Sequence, residues 1–207
     1  FVSCDRLRHL RRLKLPRDDQ FFLDAMLLHG AEMSALRRIE ELHLKGAHRS
    51  LAFLKHMTSL ETLEISGEYI GAAPLQPLQR LKSLRKLVIH NESEPLPEID
   101  VIRLFSSPSP SSSSTGADLN DDLVDGGNAL HRLRSLTITS AWLHYQTLAL
   151  LFRCCDDLED FSISIYLQSF DLFAEDPFLR LPPRLRRFVL NMPKTVGDNR
   201  ALIDFVW

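Results

Sequence analysis

Eight histidines and three cysteines are the side chains of this 207-residue chain best suited to hold a metal or to carry nucleophilic chemistry. The histidines stand at 9, 29, 43, 48, 56, 90, 131 and 144, and no His/Cys/Asp grouping shows the short, repeated spacing that a tetrahedral zinc site needs. Cys154 and Cys155 are neighbours and Cys4 stands far from both. Three thiols so placed make neither a disulfide framework nor a zinc finger, and their odd number fits a reducing compartment, cytoplasmic or nuclear. The adjacent pair reads as one buried and one peripheral thiol at a helix end. Serine catalysis needs a nucleophile held by a base and an oxyanion site, and there is no Gly-x-Ser-x-Gly elbow. A glycine-rich phosphate loop is missing too. The expectation is a protein that is not an enzyme, with no metal and no cofactor.

Charge and composition narrow the partners. Lys and Arg total 25 against 27 Asp and Glu, a formal net charge of −2, so no global field draws the chain to nucleic acid. The basic clusters, Arg6 to Arg17, Arg80 to Lys86 and Arg184 to Arg187, are interleaved with leucines and read as solvated positions beside core residues. The longest apolar run, Leu148 to Phe152, is far short of the roughly 20 residues that cross a bilayer. Neither nucleic acid nor membrane is expected as a partner. Asn91-Glu-Ser93 matches a glycosylation sequon, a match that chance supplies in a serine-rich chain. The chain begins at Phe1 without a start methionine and reads as an excised piece.

What must position these groups is a repeat. Thirty-eight residues are leucine, and the phrase apolar-x-x-apolar-x-apolar occurs seven times. Its copies are Leu10, Leu13, Leu15; Ile39, Leu42, Leu44; Leu60, Leu63, Ile65; Leu84, Leu87, Ile89; Leu133, Leu136, Ile138; Leu158, Phe161, Ile163; and Leu185, Phe188, Leu190. A spacing of three suits a helix, but the spacing of two that follows puts its pair on opposite helix faces and on one face of a strand. One short strand cannot bury that face alone, so parallel neighbours must stack. A helical repeat array is the alternative.

This phrase resembles the leucine-rich repeat (LRR). The resemblance spans nearly all of residues 1–207 and implies an α/β solenoid, a horseshoe with a short-stranded parallel concave sheet and irregular convex helices, in about seven or eight units. The intervening segments Asp19 to His29, Ser50 to Met57, Leu75 to Leu81, Glu98 to Phe105, Tyr145 to Cys154, and Asp198 to the end are expected as the backing helices. Where the family places Asn or Cys in the turn, this chain has Asp18, Ala47, Glu68, Glu92, Ala141, Tyr166 and Pro193, so its turns should close irregularly. Irregular units are similar to those of intracellular F-box/LRR proteins, as is the run from Phe152 through Cys154-Cys155 to Leu158. Plant nucleotide-binding immune receptors carry phrases similar to Leu7–Leu15 and Leu54–Leu63.

The long gap between the fourth and fifth phrases holds Ser106 to Gly116, rich in Ser and Pro, then Asp118, Asp121, Asp122 and Asp125. Such composition buries too little to offset its ordering entropy, so 106–127 is expected to loop out as a disordered insertion. A degenerate extra repeat near Leu119 and Leu123 is the competing account. Ser107 and Ser109 precede proline and suit a proline-directed kinase.

In the LRR reading, residues alternating with the buried leucines meet the partner. They include Arg12, Lys14, Arg17, Glu41, His43, Lys45, Thr62, Glu64, Lys86, His90, Thr137, Asp160, Arg187 and Asn191. The face is basic at its first end and hydroxyl-rich in the middle. It suits a protein or peptide ligand, with Trp142, Tyr145 and Tyr166 as aromatic anchors on loops. The resemblance implies a non-catalytic interaction module: the target-recognition array of an F-box-type ubiquitin-ligase receptor, its ligase scaffold reached through a further segment. A sensing or autoinhibitory region of an immune-type receptor is the alternative, and an enzyme with an unrecognised site a weaker one.

Overall fold

The computed structural model describes residues 9–15, 36–46, 51–67, 75–92, 95–105, 129–166, 180–192 and 201–206. Each leucine phrase ends in a strand: β1 (Arg12–Leu15), β2 (Glu41–Lys45), β3 (Thr62–Gly67), β4 (Lys86–Asn91), β5 (Ser135–Trp142), β6 (Asp160–Tyr166) and β7 (Arg187–Met192). They lie side by side in chain order, all parallel, and β8 (Ala201–Val206) closes the sheet antiparallel to β7. The architecture is α/β, with helices few and short.

Register follows the phrase. Leu13, Leu42, Leu63, Leu87, Leu136, Phe161 and Phe188 form one inward column, and Leu15, Leu44, Ile65, Ile89, Ile138, Ile163 and Leu190 the next. From β2 to β6 every phrase residue is buried. Ahead of the strands runs a ladder of carbonyls, each accepting two successive N–H groups from the next unit. Arg11 O takes Glu40 and Glu41 at 2.8 and 3.0 Å, Glu61 O takes Arg85 and Lys86, Arg85 O takes Arg134 and Ser135, and Glu159 O takes Arg186 and Arg187. Parallel rungs need such pairing because any buried N–H left without an acceptor is costly.

The backing elements vary with the residues available between rungs. Ser50–Met57 and Leu75–Leu81, expected as helices, contain single 3-10 turns, Ala52–His56 and Gln76–Arg80. In the second of these Pro77 lacks a backbone donor, which suits a short turn. The long connection after β4 holds α1 (Glu98–Phe105), followed by a 3-10 turn at Ala129–Arg132, and the connection after β5 holds α2 (Tyr145–Cys154), both α-helices with the expected bounds. Strands β4 and β5 pair directly, so no extra rung separates them. The expected loop 106–127 and the helix Asp19–His29 lie outside the described residues, as do Leu119 and Leu123.

Three expectations are corrected. The described part of the segment expected as a helix from Asp198 is a strand: Ala201–Val206 is β8, paired Met192↔Ala201 through Arg187↔Val206. Ile203, Phe205 and Val206 favour extended backbone, and the short link after Met192 allows a reversal where a parallel crossover needs a dozen residues or more. Trp142 and Tyr166 are not in loops; they end β5 and β6 and pair with each other, after a bulge between Ile138 and Ala141. Tyr145 opens α2.

Glycine matters at one close approach. A Cβ on Gly67 would sit 2.2 Å from Gly46 O, while Gly46 itself has φ 123° and donates its N–H to Ser66 O at 2.7 Å. At the equivalent place in β4 stands Asn91, 7% exposed, which makes its sequon inaccessible in the folded chain. Its Oδ1 has no partner among the described residues.

Toward β7 leucine gives way to phenylalanine. Phe152 of α2 meets Phe161 and Phe188 edge-on, centroids 5.1 and 5.9 Å apart, and the latter two stack at 5.6 Å. Phe161→Ala is expected to cost about 3–5 kcal/mol. Thr137→Ala, on the open side of the sheet, should stay within roughly 0.5 kcal/mol; urea unfolding of both variants checks the contrast.

Glu98 ties the helices together. Its carboxylate accepts the His144 N–H at 2.8 Å, the His144 ring Nδ1–H and the Thr147 hydroxyl, so the first residue of α1 caps the start of α2. Burial raises the pKa of Glu98, but hydrogen bonds from Thr147 and His144 overbalance it and hold the group below its ordinary value. A lowered folded-state pKa gives stability that is complete above the unfolded value and lost as pH falls through the folded one. Glu98→Gln should therefore lower stability by about 1–2 kcal/mol at neutral pH, a gap that narrows in acid; denaturation curves at both pH values measure it.

Candidate functional site

One side of the sheet is packed and the other is open. Alternation along each strand sends the residues between the leucines to the open side, and the strand pairing sets them in rows. The first row reads Arg12, Glu41, Thr62, Lys86, Ser135, Asp160, Arg187 from β1 to β7. The second reads Lys14, His43, Glu64, Val88, Thr137, Ser162, Val189, and the third carries Lys45, Ser66, His90 and Thr139, with Ser164 and Asn191 beyond the bulge of β5. Every sequence-predicted face residue is thus brought to one surface except Arg17, which lies outside the described residues, as do Ser107 and Ser109. Among the described members only Val88 is buried, at 7% exposure.

The face divides by chemistry. Over β1 to β3 it is ionic: Arg12 Nε lies 2.8 Å from Glu41 Oε2, His43 Nε2 lies 2.6 Å from Glu41 Oε1, and His43 Nδ1 lies 2.8 Å from Glu64 Oε2. A neutral imidazole has one donor and satisfies one carboxylate; the imidazolium satisfies both. The His43 hydrogen bond is the main reason that the Glu41 carboxyl lies below its ordinary pKa, with Arg12 adding to it. Lys14 and Lys45 border this chain of charges, both exposed.

Over β4 to β7 the second and third rows hold no carboxylate, lysine or arginine, being built of hydroxyls, an imidazole, an amide, Val88 and Val189. His90 Nδ1 lies 3.2 Å from Thr139 Oγ1, which donates to Ile89 O at 3.4 Å, and Asn191 Nδ2 donates to Ser164 Oγ at 3.3 Å. Charges return only in the first row, as Lys86, Asp160 and Arg187. This floor can exchange hydrogen bonds with peptide backbone or polar side chains, while its ionic end sets polarity and register.

Neither cysteine belongs to this face. Cys154 ends α2 half-buried, and Cys155 is buried with its thiol toward Leu130 O at 3.7 Å. Burial pushes both thiol pKa values up, the direction opposite to a reactive thiolate. No group of His, Cys, Asp or Glu among the described residues converges as metal ligands would. No helix there is long and apolar enough to cross a membrane.

Two features escape the leucine pattern. One is the Glu98, His144 and Thr147 cluster, which joins residues far apart in sequence and has no local signal. The other is the residue directly after the first leucine of each phrase, Arg11, Glu40, Glu61, Arg85, Arg134, Glu159 and Arg186, whose carbonyls or amides form the ladder ahead of the strands. That position is charged in all seven phrases, a signal that the sequence does carry. The chain matches no protein-family model, and no curated protein matches it.

Proposed function

We propose that this chain is an irregular leucine-rich-repeat array and that it works as a non-catalytic protein–protein interaction module, holding a protein or peptide on the open face of its sheet. The observation that carries this reading is the in-register stacking of seven phrases with an ionic half and a hydrogen-bonding half on the side that the backing helices leave free. The reading places the chain in the cytoplasm or nucleus, with neither membrane nor nucleic acid as partner. The most specific form is target recognition for an F-box-type ubiquitin ligase, supported only by the irregular units and by the Phe152–Leu158 run. A ligand-sensing or autoinhibitory role in a nucleotide-binding immune-type receptor is the second form.

A photo-crosslinking residue at Thr137, on the open face, should trap the partner, whereas one at Lys55, in the backing 3-10 turn, should not. Reversal of charge at Lys45, Lys86 and Arg187 should weaken capture by about tenfold or more. Capture unchanged by all three moves the site off this face. In the ubiquitin-ligase form the same reversal also prolongs the partner's lifetime in cells; in the immune-receptor form it leaves turnover unchanged.

A further inference from the structure

The rim where the strands begin carries its own charge code, separate from the open face. Rung by rung it reads Arg11, Glu40, Glu61, Arg85, Arg134, Glu159, Arg186, one charged residue on each step of the carbonyl ladder. Some of these charges are neutralised nearby: Arg11 pairs with Glu40, and Arg184 with Asp157 at 2.8 Å. Among the described residues, those at β4 and β5 are neutralised less, Arg134 by a long contact with Glu159. Lys82 and Arg85 precede β4, Arg132 and Arg134 precede β5, and no carboxylate belongs to either turn. Arg134 reaches Glu159 of the next rung at 3.8 Å, and Arg85 gives a hydrogen bond to Arg132 O, with Glu61 on the rung before it and no ion pair of its own among the described residues. Lys82, Arg132 and Arg134 are exposed. In a chain of net charge −2, this is a local concentration of positive charge.

Beyond it the sign reverses, then returns. The turn before β6 carries Asp156, Asp157 and Glu159, and the turn before β7 carries Arg184 and Arg186. Between these two rungs the rim opens into a cleft of about 490 Å³ lined by Glu159, Pro183, Arg184, Leu185 and Arg186. Its lining combines two apolar side chains with a mixed-charge wall.

We infer that the rim over β4 and β5 docks a short, extended acidic segment of a partner protein. Parallel rungs are about 4.8 Å apart, so the positive stretch is two rungs wide and matches a few carboxylates. A nucleic-acid strand needs a longer track, because its phosphates would run onto Asp156, Asp157 and Glu159 one rung later. A peptide escapes that repulsion by changing its own sign there, with a basic residue after its acidic ones. The acidic peptide is therefore the occupant that the charge order favours, and this inference stands whether or not the open face binds anything.

Fluorescence anisotropy on the whole chain tests it, with a labelled peptide of alternating Asp and Gly ending in Lys, its Asn-for-Asp counterpart, and an oligodeoxynucleotide of equal negative charge. The acidic peptide should bind saturably at low ionic strength and weaken as salt rises from about 10 mM to about 150 mM. Arg85→Glu with Arg134→Glu, and separately Lys82→Glu with Arg132→Glu, should each weaken it by about tenfold or more, while Lys55→Glu in the backing 3-10 turn should not. The second pair makes no ion pair among the described residues, so it guards against loss of fold in the first. Absence of saturable binding, wild-type affinity in both double variants, tighter binding of the oligonucleotide, or salt-sensitive self-association abolished by the same variants would each overturn the assignment.

Discussion

The structure depends on one repeated hydrogen-bond geometry, in which the carbonyl ahead of each strand accepts two consecutive N–H groups of the next unit. Two donors on one acceptor fix the step between units in position and direction, so each strand can begin at only one residue. Because strand side chains alternate, a slip of one residue would turn every leucine outward and every polar residue inward. The buried columns and the open face are thus two consequences of one register. Hydrophobic burial supplies the larger share of the free energy, yet burial alone is non-directional and would not choose that register.

Once the ladder holds the rungs, the backing layer is free to be irregular. A 3-10 turn with Phe53 and Leu54, another with Leu78, the helix α1 with Val101 and Leu104, and α2 with Leu151 and Phe152 all cover the same columns. What they share is apolar volume at the required depth, which sequences of different length meet in different ways. Near β7 one inner column changes from leucine to phenylalanine while the other keeps Ile163 and Leu190, and α2 answers with Phe152. Antiparallel β8 then covers the hydrogen-bonding edge of the last parallel rung, a common way of protecting a sheet from unwanted pairing.

Legibility in the sequence follows the range of the interactions. Rungs are readable because the spacing of three then two is local and favours a strand over a helix. Both α-helices were readable because Glu98–Phe105 and Tyr145–Cys154 carry full helical periods between phrases. The 3-10 turns were overread as helices, since apolar residues at a spacing of three satisfy either geometry. Segment 201–206 was misread because pairing with β7, a tertiary contact, decides its state. Asn91 is a case of another kind: its burial follows from its place two residues after Ile89 on the inward column, in keeping with a sequon that chance supplies. For the open face, alternation told which residues gather there; the contact of His43 with Glu41 and Glu64 required the register between β2 and β3.

That register also explains how one small chain can present two chemically different surfaces. Residues at the phrase's third position lie on the open face, where they alternate in sign with neighbours or carry hydroxyls. Residues at the second position lie on the rim and are charged in every unit. The two positions are adjacent in sequence but belong to different rows of the structure, so each can change without disturbing the leucines on either side of the pair. A charge at the rim costs little because it stays hydrated. What such charges contribute is long-range orientation, which falls with ionic strength, while the hydroxyl floor contributes short-range hydrogen bonds, which do not. A ligand spanning both surfaces would first be oriented by the rim and then be held by the floor, and salt would slow its arrival more than it hastened its departure.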